Sequence, residues 1–441
     1  MENKNVIIGA GISGLSCGWV LKDRAIILEK EPHIGGLAVT KEFGNFKFDL
    51  GGHRFFTYDA SVENFFRRLL EGEILETQRK SKIYKDGKFI DYPLRTSVVF
   101  QLNPLDITLS FFTYIFRKIK PLKELSFQER SINRFGDHLY KLFFRDYTEK
   151  VWGISCNNIS KELVDTRLQN ISLMRVVKNA FKKDMGVKSF VDKLVYPKDG
   201  IGKISEYLSK DLDIRLNSEI TGLICRNGRI EKVIVNNSNE YACENLVSTM
   251  PITELIGLFN PPSDIKNAAQ NLKYRSLICV FIVLNRRNYT PNHWIYIPGE
   301  RIFGRIHEPK NWSSYMAPEN KTGVCVEVFC NKDDDIWKMG NTEIAHQVIR
   351  TLPILKEFEA EDHCVIRVEY AYPIYDINYR INLEKLTAYL SSYKNLFLLG
   401  RVGTFKYINM DACIKEGLKL GELLTKRAER KFWLKNYSIN N

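Results

Sequence analysis

The pattern of apolar and polar positions divides the 441-residue chain into three textures. The first opens on a short β-branched run, Asn5–Ile8, followed at once by Gly9-Ala-Gly11-Ile12-Ser13-Gly14. Apolar residues then recur at helical spacing over Leu15–Lys22, and a second apolar run, Ala25–Leu28, ends on Glu29. Together these predict a compact strand–turn–helix–strand unit. From about residue 94 to 193, apolar positions three and four apart predict a mostly helical segment. Strand patterns return at Ile214–Leu216, Ile220–Cys225 and Lys232–Val235, with an Asn227-Gly228 hairpin turn between the last two, and at Asn245–Thr249. Leu277–Leu284, Trp294–Ile297, Gly323–Phe329 and Val365–Tyr370 alternate with turns as an antiparallel sheet does. A last strand, Asn395–Leu399, runs into Gly400, and a helix is predicted over Met410–Arg430.

Composition narrows the class. With 44% hydrophobic and 27% charged residues, the chain is neither mainly disordered nor a polytopic membrane protein. Its longest apolar stretch, Ile107–Phe116, is about half a membrane span. Nine cysteines are scattered singly, without zinc-ligand spacing, so reduced thiols and no metal site are expected. Met1-Glu-Asn-Lys-Asn leads straight into the first strand with no secretory pattern, which predicts a cytoplasmic protein.

The charge balance asks for an anionic partner. Sixty-five Lys and Arg against 52 Asp and Glu leave +13, compatible with nucleic acid, an anionic membrane or a phosphorylated substrate. No compact basic motif with interleaved aromatics is present, so nucleic acid is not expected. Two basic runs stand out: Arg117-Lys-Ile-Lys120-Pro-Leu-Lys123, and Lys426-Arg427 with Arg430-Lys431 and Lys435. They are either solvated helix faces or a peripheral contact with an anionic membrane.

The glycines carry the chemistry. Gly9 permits the tight turn, Gly11 a close backbone approach to a pyrophosphate, and Gly14 close helix–sheet packing. The helix N-terminus, with Ile12 and Ser13, then faces the phosphates, and Glu29 at the second strand's end accepts from a ribose. A second glycine pair follows in Glu29-Lys30-Glu-Pro-His33-Ile34-Gly35-Gly36-Leu37, and a third in Gly51-Gly52-His53-Arg54. These extra glycine sites favour FAD, whose chain extends further along the domain, over NAD. The fold class expected is α/β: a Rossmann-like FAD-binding domain interleaved with an antiparallel-sheet substrate domain and a helical domain. The boundaries read as 1–75 with 195–255 and 385–430 for FAD, 94–194 for the helices, and 76–93 with 256–384 for the sheet.

Taken together, the fingerprint, Glu29, His33-Ile-Gly-Gly and Gly52-His53 resemble the superfamily of amine oxidases, protoporphyrinogen oxidases and phytoene desaturases. Tyr147-Thr-Glu-Lys-Val-Trp152-Gly153, Gly304-Arg305-Ile-His-Glu, Tyr372-Pro-Ile-Tyr375-Asp and Gly400-Arg401 with Lys406-Tyr407 and Met410 resemble the UDP-galactopyranose mutases within it. The resemblance implies a nucleotide-sugar isomerase in surface polysaccharide synthesis that works without net redox. Reduced FAD would attack the anomeric carbon through N5 as the nucleotide departs. It further implies that Arg305 holds the diphosphate, that Tyr372 and Tyr407 donate to it, and that Tyr147 and Trp152 line the uridine or sugar pocket. His53 would approach the flavin ring, while Arg401 would face the charge of the reduced flavin. The remaining cofactor residues implied are Gly9, Gly11, Ile12, Ser13, Gly14, Glu29, Lys30, Gly35, Gly36, Leu37, Gly51, Gly52, Gly400 and Met410.

The sequence also departs from the mutase pattern. Arg54 replaces an apolar residue, and neither Arg167 nor Arg175 aligns with the second phosphate arginine expected after Trp152-Gly153. An amine- or protoporphyrinogen-type oxidase or desaturase stays open as an alternative, as does a non-catalytic escort-type binding protein. Homo-oligomerisation is also left open.

Overall fold

The structure is a computed structural model and describes residues 4–92, 102–168, 193–353 and 359–426. Lys4–Ile8 lies inside a seven-stranded sheet, with Ala25–Leu28 parallel on one side and Asn239–Ser248 parallel on the other. Ile214–Arg215 and Leu396–Leu398 continue the parallel set outward. Both faces are covered, which is why these strands read as unbroken apolar runs. Ile7 packs with Leu15 and Leu420 on one face, whereas Val6 and Ile8 pack with Leu255 and Leu386 on the other.

Asn239–Ser248 also pairs antiparallel with Arg229–Val235, which turns through Asn227-Gly228 into Ile220–Arg226. The φ angles of 51° and 69° at that pair belong to the tight hairpin turn its sequence predicts. Asn395 binds this region together from the next strand. Its amide accepts from Ile230 N–H (2.9 Å) and donates to the carbonyls of Ile230 (2.8 Å) and Glu244 (3.0 Å), the first two bonds buried.

The helix Ile12–Leu21 is buried along most of its length between the sheet and the helix Met410–Thr425. A Cβ on Gly14 would lie 2.0 Å from the Gly9 carbonyl oxygen, so only glycine permits this approach of turn and helix. The C-terminal helix expected to reach Arg430 is seen as Met410–Thr425, and residues from Arg427 onward lie outside those described.

A second seven-stranded sheet runs in the order 360–373, 274–284, 322–330, 305–307, 294–296, 81–85, 88–91. Its second strand, Tyr274–Leu284, alternates strictly. Leu277, Cys279, Phe281 and Val283 face the helical segment, and Ile278, Val280, Ile282 and Leu284 face the helix Asn341–Thr351. The sheet is antiparallel as expected in all its pairings but one, Trp294–Tyr296 running parallel with Ser81–Ile83. The reason is topological: these strands meet across a long connection, not a hairpin.

Helices Pro104–Ile119, Phe127–Phe135, Asp146–Trp152 and Glu162–Leu168 make up most of the described helical segment. Ser126 and Glu129 close the second of these with a reciprocal capping box. Among the described residues, no helix is long and apolar enough to cross a membrane.

Asn395→Ala should expose the weak point of the first sheet. Two buried backbone groups and one part-buried carbonyl lose their partner, so stability should fall by about 2 kcal/mol. Urea unfolding of the variant checks this; an unchanged midpoint would show that the strands hold without the side-chain staple.

Candidate active site

One residue ties the second sheet to the loop that follows the strand Phe46–Asp49. Glu327, on Thr322–Cys330, is fully buried and accepts from Arg305 Nε (2.7 Å), from Arg305 Nη2, and from the Gly52 backbone N–H (3.1 Å). His307 Nδ1 lies 3.6 Å away. Burial acts to raise the Glu327 pKa, but the Arg305 guanidinium and His307 outweigh it and hold the carboxyl at about 2. The same pair keeps Arg305 charged, its pKa moved well upward despite burial.

Above this pair lies a cavity of about 470 Å³. His53, Arg305, Tyr372, Arg401, Tyr407 and Met410 all line it, and Tyr147 and Trp152 close it from the helical side. Residues read from separate motifs therefore share one wall. Arg401 sits 5.5 Å from the Tyr372 ring and 5.3 Å from the Tyr407 ring, with Trp152 edge-on to both. Its Nε donates to the Ile408 carbonyl (2.8 Å), which fixes the guanidinium. Arg305 Nη2 reaches the Tyr372 hydroxyl at 3.3 Å. His53 is neutral: burial first, then Arg401, lowers its pKa to about 4. Its Nδ1 lies 3.2 Å from the Gly51 carbonyl, an acceptor, so Nδ1 carries the proton.

The Tyr147–Gly153 motif explains how the two aromatics are aimed. Lys150 Nζ donates to the carbonyls of Ile297, Arg301 and Phe303, tying the helix to the loop that leads into Arg305. Burial, and secondarily Arg301, pushes this ammonium down to about 8. Glu149 accepts from the Cys156 N–H (2.9 Å). Arg275 donates to the Lys150 and Val151 carbonyls, capping the helix end with positive charge. A π-helical turn at Tyr140–Arg145 immediately precedes the motif, bringing Leu142, Phe143 and Phe144 to the cavity as well.

The glycine sites form a cradle beside the first sheet. Gly11 bridges Gly35, the Gly35 N–H donates to the Ala10 carbonyl (2.9 Å), and a Cβ on Gly36 would stand 3.2 Å from the Gly11 Cα. The helix Ile12–Leu21 begins at Gly11 with no side-chain cap and no acidic residue in its first turn, so its N–H groups suit a phosphate. A Cβ on Gly400 would lie 2.7 Å from Ser13 Oγ, which places that glycine beside the same helix start. Glu29 is buried, and its carboxylate accepts from the N–H groups of Ala10 (2.7 Å) and Glu31 (2.9 Å). Lys30 is exposed beside Glu31. Leu37, Gly51 and Gly52 border a smaller cavity that also touches His53, Arg305 and Arg401.

The sequence profile of the flavin containing amine oxidoreductases matches residues 12–382. The chain belongs to that family. A UDP-galactopyranose mutase of Mycoplasma genitalium is 22% identical over 436 residues, covering 95% of this chain and 94% of the relative. A crystal structure of a reduced UDP-galactopyranose mutase superposes with a TM-score of 0.85 at 22% identity, covering 99% of this chain and 98% of that one. A putrescine oxidase solved with putrescine shares the fold at TM-score 0.65 and 14% identity, covering 97% and 100% of the two chains. The family implies a flavin, and the glycine cradle with its uncapped helix start fits the phosphates of such a group.

Sequence reasoning missed Glu327, whose setting in Val324-Cys-Val-Glu-Val328 reads as a plain strand. It also missed Arg79, Trp294 and Tyr296, all of which line the cavity. Arg175 and the side chain of Arg167 fall outside the described residues.

Glu327 has a folded pKa below its ordinary 4.5, so its contribution to stability is present above 4.5 and is lost as pH falls towards 2. Glu327→Gln, which leaves a buried guanidinium uncompensated, should cost about 3 kcal/mol at neutral pH. Urea unfolding from pH 6 to pH 2 should show a shallower acid dependence in the variant. An identical slope in both proteins would assign the acid sensitivity to other carboxylates.

Proposed function

We propose that this protein is an FAD-dependent nucleotide-sugar mutase that interconverts pyranose and furanose ring forms. The observation that carries the reading is electrostatic. One cavity is lined by Arg54, Arg79, Arg305 and Arg401, and among these only Arg305 has a carboxylate within 4.0 Å among the described residues. Such a wall favours an anionic substrate and repels the cationic amine of an amine oxidase. Whole-length similarity to UDP-galactopyranose mutases supports the same choice.

When bound and reduced, FAD supplies a nucleophilic nitrogen able to displace a nucleotide at an anomeric carbon. The remaining work belongs to the chain. Arg305 and Arg401 offset the charge that develops on the departing diphosphate. The Tyr372 and Tyr407 hydroxyls donate to its oxygens. His53 keeps its proton on Nδ1 and leaves the Nε2 lone pair facing the sugar. Tyr147 and Trp152 exclude water, which would otherwise hydrolyse an activated anomeric centre. The product would feed surface polysaccharide synthesis.

The test is turnover of purified flavoprotein on UDP-galactose and related nucleotide sugars, with and without dithionite, read by chromatography. Ring-contracted product should form only after reduction. Arg305→Lys, which loses the bidentate fork, should lower kcat/KM by about 10- to 100-fold. Rapid flavin reduction by an amine or porphyrinogen, with peroxide release and no sugar turnover, would overturn the proposal.

A further inference from the structure

We propose that Arg54 and Arg79 form a second oxyanion subsite in the cavity, taking a phosphate or carboxylate of the substrate apart from the Arg305–Glu327 pair. The inference rests on the nucleotide-sugar reading for the identity of the substrate, but not for the existence of the subsite.

Backbone pairing fixes where Arg54 points. Its neighbour Phe55 is 1% exposed, stacks on Phe66, and donates its N–H to the Val195 carbonyl (3.2 Å). Phe55 therefore points into the core, and Arg54 is left on the cavity side. Trp294 separates the two guanidiniums, 5.2 Å from Arg54 and 5.7 Å from Arg79. The indole cannot swing away, because it packs edge-on against Trp312 and fills the space where a Cβ on Gly52 would stand. Arg79 is held by Ser81, to which its Nε donates at 3.1 Å, and by the Tyr92 ring.

Two features distinguish this pair from Arg305. Neither guanidinium has a carboxylate within 4.0 Å among the described residues, whereas Arg305 is neutralised by Glu327. Arg54 Nη1 is sealed from solvent and makes no hydrogen bond among the described residues. A buried, unpaired guanidinium is unfavourable, more so beside a like charge, and the arrangement makes physical sense if an oxyanion completes it. Burial, and then Arg79, pushes the Arg54 pKa down to about 10, so it stays charged at neutral pH.

Isothermal titration of the flavin-loaded protein with inorganic pyrophosphate, UDP, UDP-galactose and UDP-galacturonate tests the subsite, comparing wild type with Arg54→Met, Arg54→Lys and Arg79→Met. At least one probe should weaken by about tenfold in Arg54→Met and recover in part in Arg54→Lys. Equal loss for all UDP ligands assigns the subsite to the diphosphate; loss confined to UDP-galacturonate assigns it to a sugar carboxylate. Should Arg54→Met lose its flavin or its fold, Arg79→Met must show the same loss. Wild type that binds no probe, or losses smaller than about fivefold throughout, would overturn the proposal. Arg54-dependent binding of pyrophosphate alone would keep the subsite and sink the nucleotide-sugar reading.

A separate surface carries a second inference: the helix Pro104–Ile119 docks on an anionic lipid surface. Leu105, Leu109, Phe112, Phe116 and Ile119 fall on one helical face and are all exposed, Ile119 at 78% and Leu105 at 67%. Lys118, Lys120 and Lys123 are exposed beside this stripe. The acids around them are already engaged: Asp137 by Arg117, Asp106 by His138 and Glu124 by Arg130. An apolar stripe flanked by uncompensated lysines complements acyl chains under anionic headgroups. The holoprotein should sediment with phosphatidylglycerol vesicles at low salt, less so at high salt, and not with phosphatidylcholine alone. Phe112→Asp combined with Phe116→Asp should abolish binding. No binding at low salt, or undiminished binding by that variant, would overturn the idea. So would a solution dimer that the same variant dissociates, because the stripe would then serve a second copy.

Discussion

A carboxylate fully removed from water ties the second sheet to the glycine loop at Gly52. Burying Glu327 would cost several kcal/mol if it stood alone, so its surroundings have to supply compensating donors. They do so from two directions: Arg305 on the neighbouring strand, and the Gly52 N–H on the loop that follows the strand Phe46–Asp49. Moving the sheet relative to that loop would strand the charge. Several residues of the cavity take their position from this joint. Arg305 points upward because its fork is anchored below, His53 follows directly after Gly52, and Trp294 packs against the same glycine.

A second constraint fixes the helical wall. Tyr147 and Trp152 are the members of their motif that reach the cavity most directly as large aromatics, while the residues between them hold the helix. Lys150 grips three carbonyls of the 297–303 loop, and Arg275 grips the helix end from the strand Tyr274–Leu284. A signature that looks like a substrate-contact motif is therefore also a set of tethers. Its charged residues act on backbone groups at a distance in sequence, so changing them would displace the aromatics without touching any ligand.

What the sequence disclosed follows the range of the interactions involved. The glycine turn, the first helix and the Asn227-Gly228 hairpin are local, set by φ restrictions and periodicity, and were legible at once. The cavity-lining set of Arg305, Tyr372, Arg401 and Tyr407 was legible through motif resemblance, although nothing local says that they share a wall. The parallel pairing of 294–296 with 81–83 was not legible, because pairing across two hundred residues leaves no mark on either segment. Glu327 was invisible for a related reason. One acidic residue in an apolar strand reads as an outward-facing position until the guanidinium opposite it is known.

The surplus of basic residues can be divided by compensation, not by count. A guanidinium already paired in the core, such as Arg305, is held in place by its partner and adds little net field, so its value to a ligand is geometric. Guanidiniums with no carboxylate partner among the described residues, such as Arg54, Arg79 and Arg401, contribute full charge and make the cavity's potential positive. The fold is shared with an oxidase solved with a cationic diamine, and so cannot itself choose between substrates. Which arginines have lost their carboxylate partners can. In this chain that pattern gives the cavity a positive potential before any assumption about the flavin's chemistry is made, and this is why the proposed substrate is an anion.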